Sequence, residues 1–148
     1  MKVYVGTDHH GYHLKEKLLA HLAKHGYQVV DEGDKKLDPN DDFPVFASRV
    51  VNQILASDDA DPRGILLCGS GQGMCMAANR YQGIRASLGW SKDAIRASRN
   101  DDNANVLCLP VDELGEEKTM SLVDTFLTTE FSGAPRYIRR LNEIDNLT

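Results

Sequence analysis

The chain has no long apolar run, no paired cysteine motif and no excess of positive charge, and each absence removes a class of function. No apolar stretch approaches the ~20 residues that cross a membrane, and the N-terminus lacks a signal-peptide pattern. Lys and Arg number 17 against 22 Asp and Glu, a formal net charge of −5. That balance argues against a general binder of nucleic acid or anionic membrane. The three cysteines, at 68, 75 and 108, are odd in number and show no CxxC spacing. They suit free thiols in a reducing cytoplasm. There is also no internal repeat, low-complexity segment or linker, so residues 1–148 read as one domain.

What is present is a regular alternation of strand and helix. Residues 2–6 alternate Val3 and Val5 and read as a first strand, ending in the polar cluster Thr7-Asp8-His9-His10-Gly11. Residues 12–25 put Leu14, Leu18, Leu19 and Leu22 on one helical stripe, closed by Gly26. A second strand is expected over 27–31, then an acidic, turn-rich loop over 32–44 that reads as a mobile lid or rim. A helix over 45–56 and a polar connector over 58–63 follow. Beyond the central segment come a strand over 83–88, a helix over 92–99, a strand over 106–109 and a helix over 113–128. Pro135 suits the first turn of a last helix carrying Arg136, Arg139 and Arg140. The pattern predicts an α/β fold: Rossmann-like, doubly wound, with a mostly parallel five-stranded sheet and an extra C-terminal helix. Because that helix follows the completed sheet, it is expected to pack against a partner subunit.

The central segment, residues 64–87, runs GILLCGSGQGMCMAANRYQGIRAS. The apolar run Ile65–Leu67 ends in Cys68, glycines follow at 69, 71 and 73, and an alanine-rich helix continues through Ala77–Tyr81. In an open α/β sheet, ligands sit beyond the carboxyl end of such a strand. Amides and the helix dipole there favour negative charge. Three familiar loops do not fit. A P-loop needs Lys and Ser or Thr where Met74 and Cys75 stand. A dinucleotide fingerprint needs glycine where Met74 stands, and belongs at the first strand-to-helix turn. A response-regulator receiver needs aspartate and lysine where Cys68 and Leu109-Pro110 stand.

A thiol before a helix N-terminus is expected to have a lowered pKa. A thiolate beside an amide cradle suits proton abstraction next to a carbonyl, the amides taking the enediolate oxygen. Ser70, two residues on, has a hydroxyl able to join the cradle. Position alone leaves Cys68 equally readable as a small buried residue at a strand end. Cys75 and Cys108 sit in apolar elements and are expected to pack. Asp8, His9, His10 and His13 cluster as metal ligands do, but Gly11 interrupts them and no further His or Cys grouping joins. No metal is expected, and His10 and His13 read as surface or helix-start residues.

The segments GTDHHGYHLKEKL, DDFPVFA, LLCGSGQGMCMAANRYQGIRA, NDDNANVL and GAPRYIRRL follow one another over essentially the full length. In that order they resemble the ribose-5-phosphate isomerase B and galactose-6-phosphate isomerase family. The resemblance implies an aldose–ketose isomerase working through a cis-enediol without metal or cofactor. It also implies a homodimer or homotetramer whose active sites are completed by the neighbouring subunit. By resemblance Cys68 is the base. Ser70 and the amides of Gly71, Gln72 and Gly73 support the enediolate, with Gly69 in the same loop. Asp8 and His9 contact sugar hydroxyls and phosphate, and Arg136 and Arg140 bind the phosphate.

The departures concern the same sites. A ring-opening histidine is replaced by Asp101, which can act as an acid/base but at neutral pH is a poor proton donor unless burial raises its pKa, and Asp102 replaces an amide beside the sugar. Asp112 stands for a phosphate-assisting arginine, Phe43 for a tyrosine, and Tyr137 for a histidine. Three added carboxylates are expected to weaken binding of a standard pentose 5-phosphate and to shift preference. Ribose 5-phosphate is the leading substrate. A four- or six-carbon sugar phosphate, or a low-activity sugar-phosphate-binding subunit, is the alternative.

Overall fold

The computed structural model describes residues 1–147; Thr148, the last residue of the expected domain, lies outside them. Five strands form one sheet: β1 (Lys2–Thr7), β2 (Gln28–Asp31), β3 (Arg63–Cys68), β4 (Ala86–Leu88) and β5 (Val106–Pro110). Their order is β2-β1-β3-β5-β4, and every pairing is parallel. The doubly wound α/β architecture is therefore as expected, with all strands parallel rather than most. β5 inserts between β3 and β4, so the chain skips one position after β3 and returns.

Alternating side chains divide the core into two layers. Val3, Val5, Ile65, Leu67, Leu107 and Leu109 meet α1 (Tyr12–Lys24), α4 (Lys92–Asn100) and α5 (Glu116–Thr128). Tyr4, Leu66, Cys68, Val106 and Cys108 meet α2 (Phe43–Leu55) and α3 (Gln72–Ala78). Burying side chains such as Phe46, Val50 and Ile54 against that second face contributes about 1.5–3 kcal/mol each. The last helix, α6 (Pro135–Asp145), buries only Leu141 and leaves Ile138 and Ile144 exposed. No helix among the described residues is long and apolar enough to cross a membrane.

Helix starts differ most from expectation, and the causes are local. α2 begins at Phe43 because Pro44 takes a first-turn position where its missing N–H costs nothing. α3 begins at Gln72, not Ala77, because Gly71 adopts φ +75 and turns the chain into the helix at once. β4 is shortened to Ala86–Leu88, since Gly83 at φ +84 holds a turn before it. A single 3-10 turn over His9–Gly11 precedes α1. The chain winds to opposite sides after β1 and after β3, so the switch point of the sheet lies between these strands. Ligands of open α/β sheets bind in that crevice.

Candidate active site

The first side of the crevice is the turn after β1. Asp8 is 5% exposed, and its Oδ1 accepts from the His10 N–H at 2.9 Å. Burial pushes the Asp8 carboxyl up, with the His10 amide pulling the other way. His9 Nδ1–H donates to Asp41 Oδ1 at 2.6 Å, and the His9 backbone N–H reaches the same oxygen at 3.3 Å. That carboxylate holds His9 above its ordinary pKa despite partial burial. Asp41 is 5% exposed at its side chain, and its Oδ2 has no hydrogen-bond partner among the described residues. Donor atoms of Asp8, His9 and Asp41 lie within 4.8 Å of one another. Two of them already share a short hydrogen bond, which fixes the orientation of the His9 ring. The 32–44 loop thus forms a rim pinned at Asp41, and also at Asp34, whose carbonyl accepts from Lys15 Nζ at 2.6 Å.

A histidine with a raised folded-state pKa adds stability that is complete below about pH 6.5 and is lost as pH rises through the raised value. In Asp41→Asn the His9 titration midpoint should fall back toward about 6.5, read from its imidazole resonances by NMR. An unchanged midpoint would remove Asp41 as the cause.

The second side is the loop after β3. Cys68 is 5% exposed and its Sγ accepts from the Gly71 N–H at 3.2 Å. Burial raises the thiol above its ordinary value, outweighing the amides of Met74, Gly71 and Ser70, which lower it; nearby Asp8 raises it further. The expected low pKa is therefore corrected: the amides are where the sequence places them, but the sulfur sits too deep for them to prevail. Ser70 is exposed, its Oγ accepting weakly from the Gln72 N–H at 3.4 Å. The Phe43 ring covers Gly73, where a Cβ would lie 2.6 Å from Cζ. At Gly71 a Cβ would lie 2.5 Å from Leu88 Cδ1 and 3.2 Å from the Pro110 backbone nitrogen, in a left-handed conformation. Gly71→Ala should cost about 1–3 kcal/mol in urea unfolding followed by far-UV circular dichroism. An unchanged midpoint would show that the loop relaxes freely.

The third side is the loop after β5. Asp112 N–H donates to the Gly69 carbonyl at 3.1 Å, and Asp112 Oδ2 lies 3.0 Å from His10 Nδ1. From sequence Asp41 has no site role, and His10 reads as a surface or helix-start residue. Asp41 stands in the DDFP run before α2, and His10 in the DHHG turn, so both lay within recognised motifs. Cys75 and Cys108 pack against the second face of the sheet, Cys108 fully buried. The Cys108 thiol lowers Cys75 to about 7.

The remaining predicted residues lie elsewhere. Gly64 is opposite Val106 and Cys68 opposite Pro110, so residues 101–105, which lead into β5, lie at the amino ends of the strands, away from Cys68. Four residues along a strand amount to ~13 Å. Asp101 ends α4, its Oδ1 accepting from Asn100 Nδ2 at 2.7 Å. Burial and Asp101 push the Asp102 carboxyl up, while the charge of Arg140 pulls it down. Ser132 N–H to the Asn100 carbonyl at 3.1 Å ties the approach of α6 to the same end. Arg136 and Arg140 flank the Tyr137 ring, their guanidinium carbons 4.8 and 5.9 Å from its centroid. Asp8, His9, Cys68, Gly69, Ser70, Gly71, Gln72 and Gly73 are thus brought together. Asp101, Asp102, Arg136 and Arg140 form a second group at the opposite end.

A family model described as Ribose/Galactose Isomerase matches residues 3–144. A probable ribose-5-phosphate isomerase B of Mycoplasma genitalium is 39% identical over 142 residues, covering 96% of this chain and 92% of that protein. Ribose-5-phosphate isomerase B of Escherichia coli is 34% identical over 143 residues, covering 97% and 93%. Among solved structures, a ribose 5-phosphate isomerase from Thermotoga maritima has a TM-score of 0.90 at 44% identity, covering 97% of both chains. The Mycoplasma genitalium protein with bound ribulose-5-phosphate has a TM-score of 0.91 at 39% identity, covering 97% and 93%. One backbone and one run of motifs are shared from end to end, and the chain belongs to the ribose/galactose isomerase family.

Proposed function

We propose that the chain, as one domain, interconverts ribose 5-phosphate and ribulose 5-phosphate through a cis-enediolate, with Cys68 as the base. The observation that carries this reading is a thiol at the carboxyl end of the central strand, its Sγ 3.2 Å from the Gly71 amide at the switch point of the sheet. The Cys68 thiolate takes the C2 proton, the C2–H pair becomes the C1=C2 double bond, and the carbonyl π pair moves onto O1. Ser70 and the loop amides stabilise the enediolate. The proton of the C2 hydroxyl passes to O1, and the O2 pair then re-forms a carbonyl at C2 while the C1=C2 pair takes the proton back from the cysteine at C1, giving the ketose. Because the resting sulfur is held as a thiol, the reactive form grows as pH rises.

Two copies of the chain complete each site in this reading. Cys68 and Arg136 lie at opposite ends of one subunit, so a sugar phosphate reaching both bridges a subunit boundary. A groove of about 580 Å³ along α6, lined by Pro135, Ile138, Arg139 and Asn142, supports contact with a second copy. The three free thiols support a cytoplasmic setting.

One observation favours a second substrate. Asp101 Oδ1 is taken by the Asn100 side chain, whose Nδ2–H donates to it at 2.7 Å, which ties up part of the group that would open a furanose ring. A four-carbon aldose 4-phosphate has no furanose form to open. Proton NMR in D2O with four- to six-carbon aldose phosphates tests both readings. Ribose 5-phosphate should give ribulose 5-phosphate deuterated at C1. Faster turnover of the four-carbon sugar would transfer the assignment, and no exchange with any of them would leave a binding subunit.

A further inference from the structure

The pair His10–Asp112 is not explained by the proton transfer just described. It bridges two elements that meet only in the fold, the turn after β1 and the loop after β5, with Nδ1 3.0 Å from Oδ2. Gly69, the residue after Cys68, lies beneath it: a Cβ there would sit 2.7 Å from Asp112 Oδ2 and 3.1 Å from His10 Nδ1. The pair therefore roofs the loop next to the reactive sulfur. His10 is fixed from three sides, by Asp8 Oδ1 on its backbone N–H, by Asp112 on Nδ1, and by the His9 ring at 4.4 Å. Yet its side chain is 42% exposed, which leaves Nε2 as its free polar atom.

The charge around the crevice shows what that atom is for. Asp8, Asp41 and Asp112 all line it, an unfavourable setting for an anionic sugar phosphate. His9 is engaged by Asp41, and Lys15 by Asp31 at 3.0 Å and the Asp34 carbonyl. Cys68 is buried, so the reacting carbons go inward and the phosphate stays toward the wet rim where His10 stands. We propose that in the complex His10 sits as an imidazolium between two anions, donating Nδ1–H to Asp112 and Nε2–H to a phosphate oxygen of the bound sugar phosphate, and so sets preference for phosphorylated substrates. Asp112 is its counter-ion and positioning residue, not a repulsive group facing the substrate. The proposal rests on the isomerase reading for the identity of the ligand.

His10→Gln keeps a side-chain donor near Asp112 but carries no charge, and His10→Lys restores a cation. With ribose 5-phosphate, His10→Gln should raise KM by about tenfold or more, the effect of one charge-assisted hydrogen bond, with a smaller fall in kcat. The inhibition constant of inorganic phosphate should rise in parallel, and His10→Lys should recover much of both. Asp112→Asn should raise KM by less. Calorimetric binding of inorganic phosphate separates the two claims. An active wild type whose KM and phosphate affinity are unmoved by His10→Gln overturns this inference alone. An inactive wild type that loses phosphate affinity in His10→Gln upholds it and overturns the isomerase reading.

Discussion

Cys68→Ala is expected to lower kcat by at least about 10³-fold and to abolish deuterium incorporation at C1 of the ketose, while the protein stays folded. General-base catalysis by a positioned side chain accounts for about 10²–10⁴-fold in rate. Here the loop offers no substitute of suitable basicity. Asp8 raises the thiol electrostatically, but its own backbone-fixed carboxylate caps the turn after β1. Ser70 is too weak an acid to ionise in its place. The structural loss is small, because a buried thiol packs as a small apolar group and its removal costs about 1 kcal/mol. Cys68→Ser should be nearly as inactive, since keeping an oxygen at that position does not supply a base. The rate in wild type should climb with pH through and above the ordinary thiol range, since burial holds Cys68 high. Exchange that persists in Cys68→Ala would assign the proton transfer to another group.

The second large effect is expected from the opposite end. Arg136→Ala combined with Arg140→Ala should reduce kcat/KM for a sugar phosphate by about 10²–10⁴-fold, the loss of two charge-assisted contacts to one dianion. Both side chains are exposed and flank Tyr137, with Arg136 Nη2–H donating to its hydroxyl at 3.2 Å. They are one helical turn apart, so both can reach a single phosphate. Within its own chain Arg140 acts on the Asp102 carboxyl and not on Cys68. A double variant with unchanged kinetics would make this face a solvated surface and leave the phosphate to His9 and His10.

Much of this arrangement was legible from residue order. Alternating Val3 and Val5, the run Ile65–Leu67 and the leucine stripe of α1 specify strand and helix locally, and the glycines after Cys68 specify a turn. Tertiary distances were not legible. The depth of Cys68 depends on Phe46, Met74 and the other side chains packed over the same face of the sheet, and this depth reverses the pKa shift suggested by its place before a helix. The pair His9–Asp41 joins residues 32 apart in sequence, and His10–Asp112 joins two distant loops. No local propensity encodes either contact. Asp112 accordingly reads from sequence as a liability for phosphate, whereas in the fold it is paired with a histidine. The separation of the two site groups is different in kind, because it follows once all strands are parallel. A loop leading into β5 and a loop leaving β3 are then at opposite ends of the strands.

The central claim is that one active site draws its base from one subunit and its pair of phosphate-binding arginines from another. Mixing Cys68→Ala with the Arg136→Ala, Arg140→Ala double variant tests it most directly. Each is inactive alone, but a mixed dimer carries one site with both defects and one with neither. Random pairing should then restore about a quarter of wild-type activity in an isologous dimer. A mixture that stays inactive, while native mass spectrometry shows the mixed dimers to be present, would contradict the claim.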